Sequence, residues 1–191
     1  MDQISTSAAV LASARSFLVA GGYNGFSYAD IAGVVGIRKA SIHHHFASKA
    51  DLVHAVVEGY RREATEGLAT LDRAVTDPSA KLAAFIGYWR ACITDATAPF
   101  CVCAMLAGEM TMLPAPVAEG VRAHFSTLAG WLTEVMQAGE AEGRLTLIAS
   151  PRAEAEAFMA IVHGAMLSAR AYGDPGIFSV ITDPLLARLR G

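Results

Sequence analysis

The stretch from Ser27 to Phe46, SYADIAGVVGIRKASIHHHF, constrains the fold of this chain more than any other. Ala32 is small, Gly36 follows four residues later, and Ile42 stands six residues beyond that. Two short helices joined by a tight turn satisfy this pattern. The alanine permits a close helix crossing, the glycine takes the positive φ the turn needs, and the isoleucine packs the second helix back onto the first. Ser27-x-x-Asp30 fits a capping box that opens the first of these helices, with Phe26 and Ile31 as the hydrophobic staple around it.

The rest of the chain reads helical as well. Val10, Leu11, Ala14, Phe17 and Leu18 recur at helical spacing, and Gly21-Gly22 supplies a stop. Ser48-x-x-Asp51 is a second capping box, opening a long helix through Val53, Val56, Val57 and Tyr60. Asp77-Pro78, Ser150-Pro151 and Asp174-Pro175 mark further starts, because proline is tolerated at the first helical position. The spacing predicts helices over about 78–95, 99–112, 116–142 and 151–172, and a last one ending near Arg190. The expected fold is all-α, with about nine helices: a three-helix head containing the helix-turn-helix (1–47) and a larger helical body (48–191). Strand-like alternation with hairpin turns is absent.

Charge divides along the same line. The chain carries −3 overall, but residues 1–50 carry +2 and the remainder −5. A mildly basic head on an acidic body orients the head toward phosphates, and the second helix of a helix-turn-helix can lie in the major groove. Apolar residues make up 53% of the chain, a high fraction for a soluble monomer. It points to a large face buried between subunits or to an apolar pocket. No run of about eighteen apolar residues predicts a membrane span. The N-terminal MDQISTSAAV lacks the basic cluster of a secretory signal. Three cysteines without disulfide spacing suit a reducing cytoplasm. His43, His44 and His45 point about 100° apart on a helix and do not converge on one ion, so neither a metal nor a cofactor is expected. Cys101, Glu109, His124 and His163 are scattered over several helices, and no nucleophile–base signature unites them, which argues against an enzyme. A non-DNA adaptor that kept the fold is the rival that the modest head charge leaves open.

Residues 26–52 resemble the DNA-binding signature of the TetR family. Ser27, Ile31, Ala32, Gly36, Ile37, Lys39, Ala40, Ser41, Ile42, His44, His45, Phe46, Ser48, Lys49 and Leu52 agree with it in one register. The chain departs from it at Arg38, where the family commonly has Ser or Thr, and at His43, where it usually has Tyr. The resemblance implies a ligand-responsive repressor that binds a palindromic operator as a dimer. It further implies that Lys39, Ala40 and His44 meet bases or phosphates and that Ser27, Ser41, His43 and Lys49 hold phosphates. Arg38 adds a charge able to reach a guanine edge bidentately.

In the body, residues 85–136 concentrate large, adaptable apolar side chains that suit a pocket for a lipophilic or aromatic ligand, although most of them serve a plain core. The resemblance favours a pocket, with Phe85, Trp89, Cys101, Met105, Phe125 and His163 as candidate lining and a small apolar effector as ligand. Cys101-x4-Leu106-Ala107-x-Glu109 looks like a motif common in the family's sixth helix. Its cysteines are either small buried residues or redox sensors. A small-residue row, Ala160, Gly164 and Ser168, lets helices approach closely. The resemblance makes that helix and the last one (Ile177, Val180, Ile181, Leu185, Leu186, Leu189) the homodimer interface.

Overall fold

The computed structural model describes residues 5–95 and 100–190. Among them are nine α-helices and no strand: α1 (Thr6–Gly21), α2 (Tyr28–Val35), α3 (Lys39–His45), α4 (Lys49–Ala74), α5 (Pro78–Thr94), α6 (Val102–Ala107), α7 (Ala115–Ala141), α8 (Pro151–Tyr172) and α9 (Gly176–Arg190).

Local chemistry sets most boundaries. Ser5 Oγ accepts the Ala8 N–H at 3.2 Å to open α1, and Asp77 and Ser150 do the same for α5 and α8, each ahead of a proline. These caps satisfy amides that have no partner within the helix. Gly173, at φ 65°, closes α8 in the left-handed conformation.

The expected helix over 99–112 is shorter than its apolar pattern suggested. Residue 99 lies outside the described residues, and α6 ends at Ala107. Gly108 is a weak helix former. The next amide, Glu109 N–H, donates to Leu106 O at 2.9 Å, tightening the chain into a turn.

The chain comprises two compact units, divided within α4, between α5 and α6, and within α7. One is Met1–Glu63 with Cys101–His124; the other is Ala64–Phe100 with Phe125–Gly191. The expected division at 47/48 falls just before α4. In the first unit α1 packs on α2, α3 and α6, and Val10, Ala14, Leu18, Ile31, Ile42, Leu52, Val57 and Leu106 are fully buried. In the second, α9 packs on α8 and α5, around fully buried Leu82, Phe158, Ala165 and Phe178. Each such large side chain stabilises the fold by roughly 1.5–3 kcal/mol.

Candidate nucleic-acid interface

The α2–α3 corner is built by backbone geometry first. Gly36 sits at φ 74°, ψ 33°, where a Cβ is costly. Its N–H and that of Ile37 both donate to Ala32 O, at 3.0 and 3.1 Å. The turn closes α2 and releases α3 at a fixed angle. Ile42 buries the inner face of α3.

The outer face of α3 is exposed at Lys39, Ala40, His43, His44 and His45, and Arg38 is exposed just before it. Lys39 and His43 lie one turn apart, as do Ala40 and His44, so these four share one face. Arg38 occupies the N-cap without capping the helix through its side chain. His43 Nδ1 lies 3.2 Å from Ala47 O. A carbonyl only accepts, so Nδ1 carries the hydrogen and Nε2 remains available. Ser41 is half-buried.

Ser27 and Lys49 are engaged inside the head. The Ser27 hydroxyl donates to Asp30 Oδ2 at 2.7 Å and accepts the Ala29 N–H at 3.2 Å, while the Ser27 N–H donates to the same Asp30 oxygen. These bonds, the hydroxyl's foremost, hold the Asp30 carboxyl below the usual carboxylate range. Ser48 and Asp51 form the equivalent reciprocal pair ahead of α4. The Lys49 ammonium donates to Phe26 O and lies over the rings of Phe26 (4.3 Å) and Tyr23 (5.0 Å). Burial pulls its pKa down.

One residue of this unit had no role in the sequence reading. The Tyr28 hydroxyl donates to Phe46 O at 3.0 Å and its ring lies 4.7 Å from that of His43. Its place beside the capping serine was visible; its partner eighteen residues on was not.

The candidate ligand residues divide between the units. Phe85, Trp89, Phe125 and His163 belong to the second. The Phe85 ring lies 5.9 Å from Trp131 and 6.2 Å from Phe158, and Trp89 is buried with its ring 5.2 Å from Tyr88. Phe125 lies 5.3 Å from His163, whose pKa burial lowers to about 4. His163 is therefore a neutral hydrogen-bonding group in an aromatic setting at neutral pH. Cys101 and Met105 belong to the first unit. Cys101 is fully buried with its Sγ 3.8 Å from His124 Nε2; Met105 is half-buried on α6. Cys92, Cys101 and Cys103 are free thiols. Burial raises the pKa of Cys101 and Cys103, which keeps them protonated and poorly nucleophilic.

Among the described residues no group of three His, Cys, Asp or Glu is arranged to hold a metal ion, and no helix is long and apolar enough to cross a membrane.

Comparison with known proteins matches this architecture. Residues 10–56 match the bacterial regulatory proteins of the tetR family, and residues 78–183 match the tetracyclin repressor-like C-terminal domain. A TetR-family transcriptional regulator from Agrobacterium tumefaciens is 56% identical over 97% of both chains, with a TM-score of 0.95. A TetR regulator from Legionella pneumophila is 27% identical over 96% of this chain and 99% of its own, with a TM-score of 0.82. AibR, solved with isovaleryl coenzyme A and operator DNA, shares the fold at 19% identity over 96% of this chain and 97% of its own, with a TM-score of 0.75. No curated protein sequence matches the chain. Two family matches spanning head and body, and a relative more than half identical along nearly its whole length, place this chain in the TetR family of bacterial transcriptional regulators.

Proposed function

We propose that the chain is a cytoplasmic, ligand-responsive repressor that binds a palindromic operator as a homodimer and is released by a small apolar effector. The observation that carries the reading is the exposed face of α3, with Lys39, Ala40, His43 and His44 on a helix anchored from behind by Ile42 and Arg38 exposed at its N-cap. Arg38 and Lys39 suit guanine edges and phosphates, Ala40 leaves room for close approach, and His43, His44 and Ser41 offer hydrogen bonds. Ser27 and Lys49 also have partners inside the head, the Ser27 hydroxyl on Asp30 and one ammonium hydrogen of Lys49 on the Phe26 carbonyl, beside any contact with phosphate. AibR, solved with isovaleryl coenzyme A and operator DNA, supports the binding of both DNA and a small molecule on this fold.

For the dimer, α8 and α9 offer a second exposed face. Ala160 and Gly164 are exposed, and a Cβ at Gly164 would meet nothing within 4 Å. Leu167 and Val180 are exposed at 58% and 68%. Leu185 and Leu189 turn inward and serve the core of their own chain, which leaves Ile177, Val180, Ile181 and Leu186 for the partner. Two-fold symmetry then requires a palindromic site with half-sites about one helical turn or slightly more apart. For the effector, Phe85, Trp89, Phe125 and His163 supply aromatic surface and one neutral hydrogen-bonding group. The buried Cys101 belongs to the packing of the first unit.

The test is fluorescence anisotropy of the full chain on DNA upstream of its own gene, against a scrambled duplex at near-physiological salt. The reading expects a preference of about a thousandfold or more. Equal, weak binding to the two duplexes would favour the adaptor instead.

A further inference from the structure

The α1–α2 connection, residues 22–27, is gripped by a residue from a distant part of the sequence. Both carboxylate oxygens of Glu109 accept the backbone N–H of Tyr23, at 3.1 and 3.2 Å. The carboxylate occupies the space that a side chain at position 22 would need: a Cβ on Gly22 would fall 1.7 Å from Glu109 Oε1, and Gly22 stands at φ 72° besides. A second glycine completes the fit, since a Cβ at Gly25 would lie 2.4 Å from Gly21 O. Glu109 is itself held by its backbone, whose N–H donates to Leu106 O at 2.9 Å and whose carbonyl accepts from Met112 N–H at 2.8 Å. On the following residues, the Lys49 ammonium engages the Phe26 carbonyl and lies over the Tyr23 ring. The connection is thus held at its amide by an anion and at its carbonyl by a cation. All of these residues belong to one compact unit.

We propose that Glu109 is a positioning residue for DNA recognition: through the Tyr23 amide it sets the angle at which α1 passes the chain to α2, and so the pose of α3, without touching DNA itself. The inference rests on the reading of the chain as a DNA-binding regulator. Without the carboxylate, the Tyr23 amide loses its acceptor and two glycines are left in a connection with wide conformational freedom. The head then samples several poses, of which only one matches the operator, and apparent affinity falls by the fraction of time spent in it. Since Glu109 makes no phosphate contact, the number of counterions released on binding stays the same.

The experiment uses the full-length protein and a duplex enriched by the wild type from a random library, comparing wild type, Glu109→Ala, Glu109→Gln and Gly22→Ala. Four quantities are read: Kd on the enriched duplex, its ratio to a scrambled duplex, the salt slope, and hydrogen exchange of the Tyr23 amide. Glu109→Ala and Gly22→Ala are expected to weaken specific binding by about tenfold, the order expected for loss of a charge-assisted hydrogen bond. They should lower the discrimination ratio, keep the salt slope and expose the Tyr23 amide. Glu109→Gln, which retains one carbonyl acceptor, should restore most of the affinity; this rescue and the lowered discrimination ratio set positioning apart from general destabilisation, which would weaken binding to both duplexes alike. Wild-type affinity and discrimination in Glu109→Ala would overturn the proposal alone. Failure of the wild type to enrich any duplex would overturn it together with the DNA-binding reading. Should Glu109→Ala fail to fold, Glu109→Gln decides: about threefold weaker binding with faster Tyr23 exchange supports the proposal, and wild-type values of both overturn it.

Discussion

The hydroxyl of Tyr28, in the first turn of α2, donates to the carbonyl of Phe46, the C-cap of α3, at 3.0 Å. This bond closes the helix-turn-helix at the end opposite Gly36. Burial raises the tyrosine pKa to about 12, so the hydroxyl remains a donor throughout the physiological range. Tyr28→Phe keeps the ring against His43 and removes only the hydroxyl. It should cost about 1 kcal/mol in chemical denaturation of the full chain. An unchanged midpoint would mean that solvent replaces the bond at no cost.

Lys49 offers a choice between two roles. Its ammonium faces the Phe26 carbonyl and two rings, so Lys49→Ala should lower stability by about 1–2 kcal/mol and leave the salt slope of DNA binding intact. A slope shallower by about one, with unchanged stability, would put the ammonium on a phosphate.

Glu154 on α8 is 3% exposed and accepts from Arg188 of α9 at 2.8 and 3.3 Å and from the Ile148 N–H at 3.1 Å. The Arg188 bond, foremost, holds its carboxyl below the ordinary 4.5. The unfolded chain therefore takes up this proton more readily than the folded one. The stabilisation is complete above pH 4.5 and is lost as pH falls through the folded value. Glu154→Gln should cost about 2 kcal/mol at neutral pH and flatten the acid limb of the stability curve; an unaltered acid limb in thermal melts would refute the assignment.

His163 titrates in a different window. Burial lowers its pKa from 6.5 to about 4, so between those values the unfolded chain binds more protons. Stability is then full above 6.5 and declines as pH falls toward 4. Thermal midpoints of wild type and His163→Gln, measured from pH 7 to 4, should converge as the pH drops. Parallel curves would show that the histidine is not shielded.

What was legible in the sequence is what neighbours within a helical turn decide. The Ser27–Asp30 and Ser48–Asp51 boxes, the Gly36 turn and the proline starts of α5 and α8 all follow from spacings of six residues or fewer, whereas the outward set of Lys39, Ala40 and His44 came from the family resemblance. Helical geometry makes such spacings deterministic. The limit shows at α6, where an apolar run suggested a helix to residue 112 but Gly108 and a turn at Glu109 ended it.

Only the tertiary structure decided which polar groups meet across long stretches of chain. It gave Lys49 a carbonyl twenty-three residues away and Glu109 an amide eighty-six residues away. It also buried Leu185 and Leu189 within their own chain while leaving Val180 exposed. The sequence by itself determined the helices, the corner and the family. Partners brought together by packing were beyond it, because a carboxylate or ammonium on a helix end has many acceptable neighbours, and the choice among them depends on how the whole unit closes around its core.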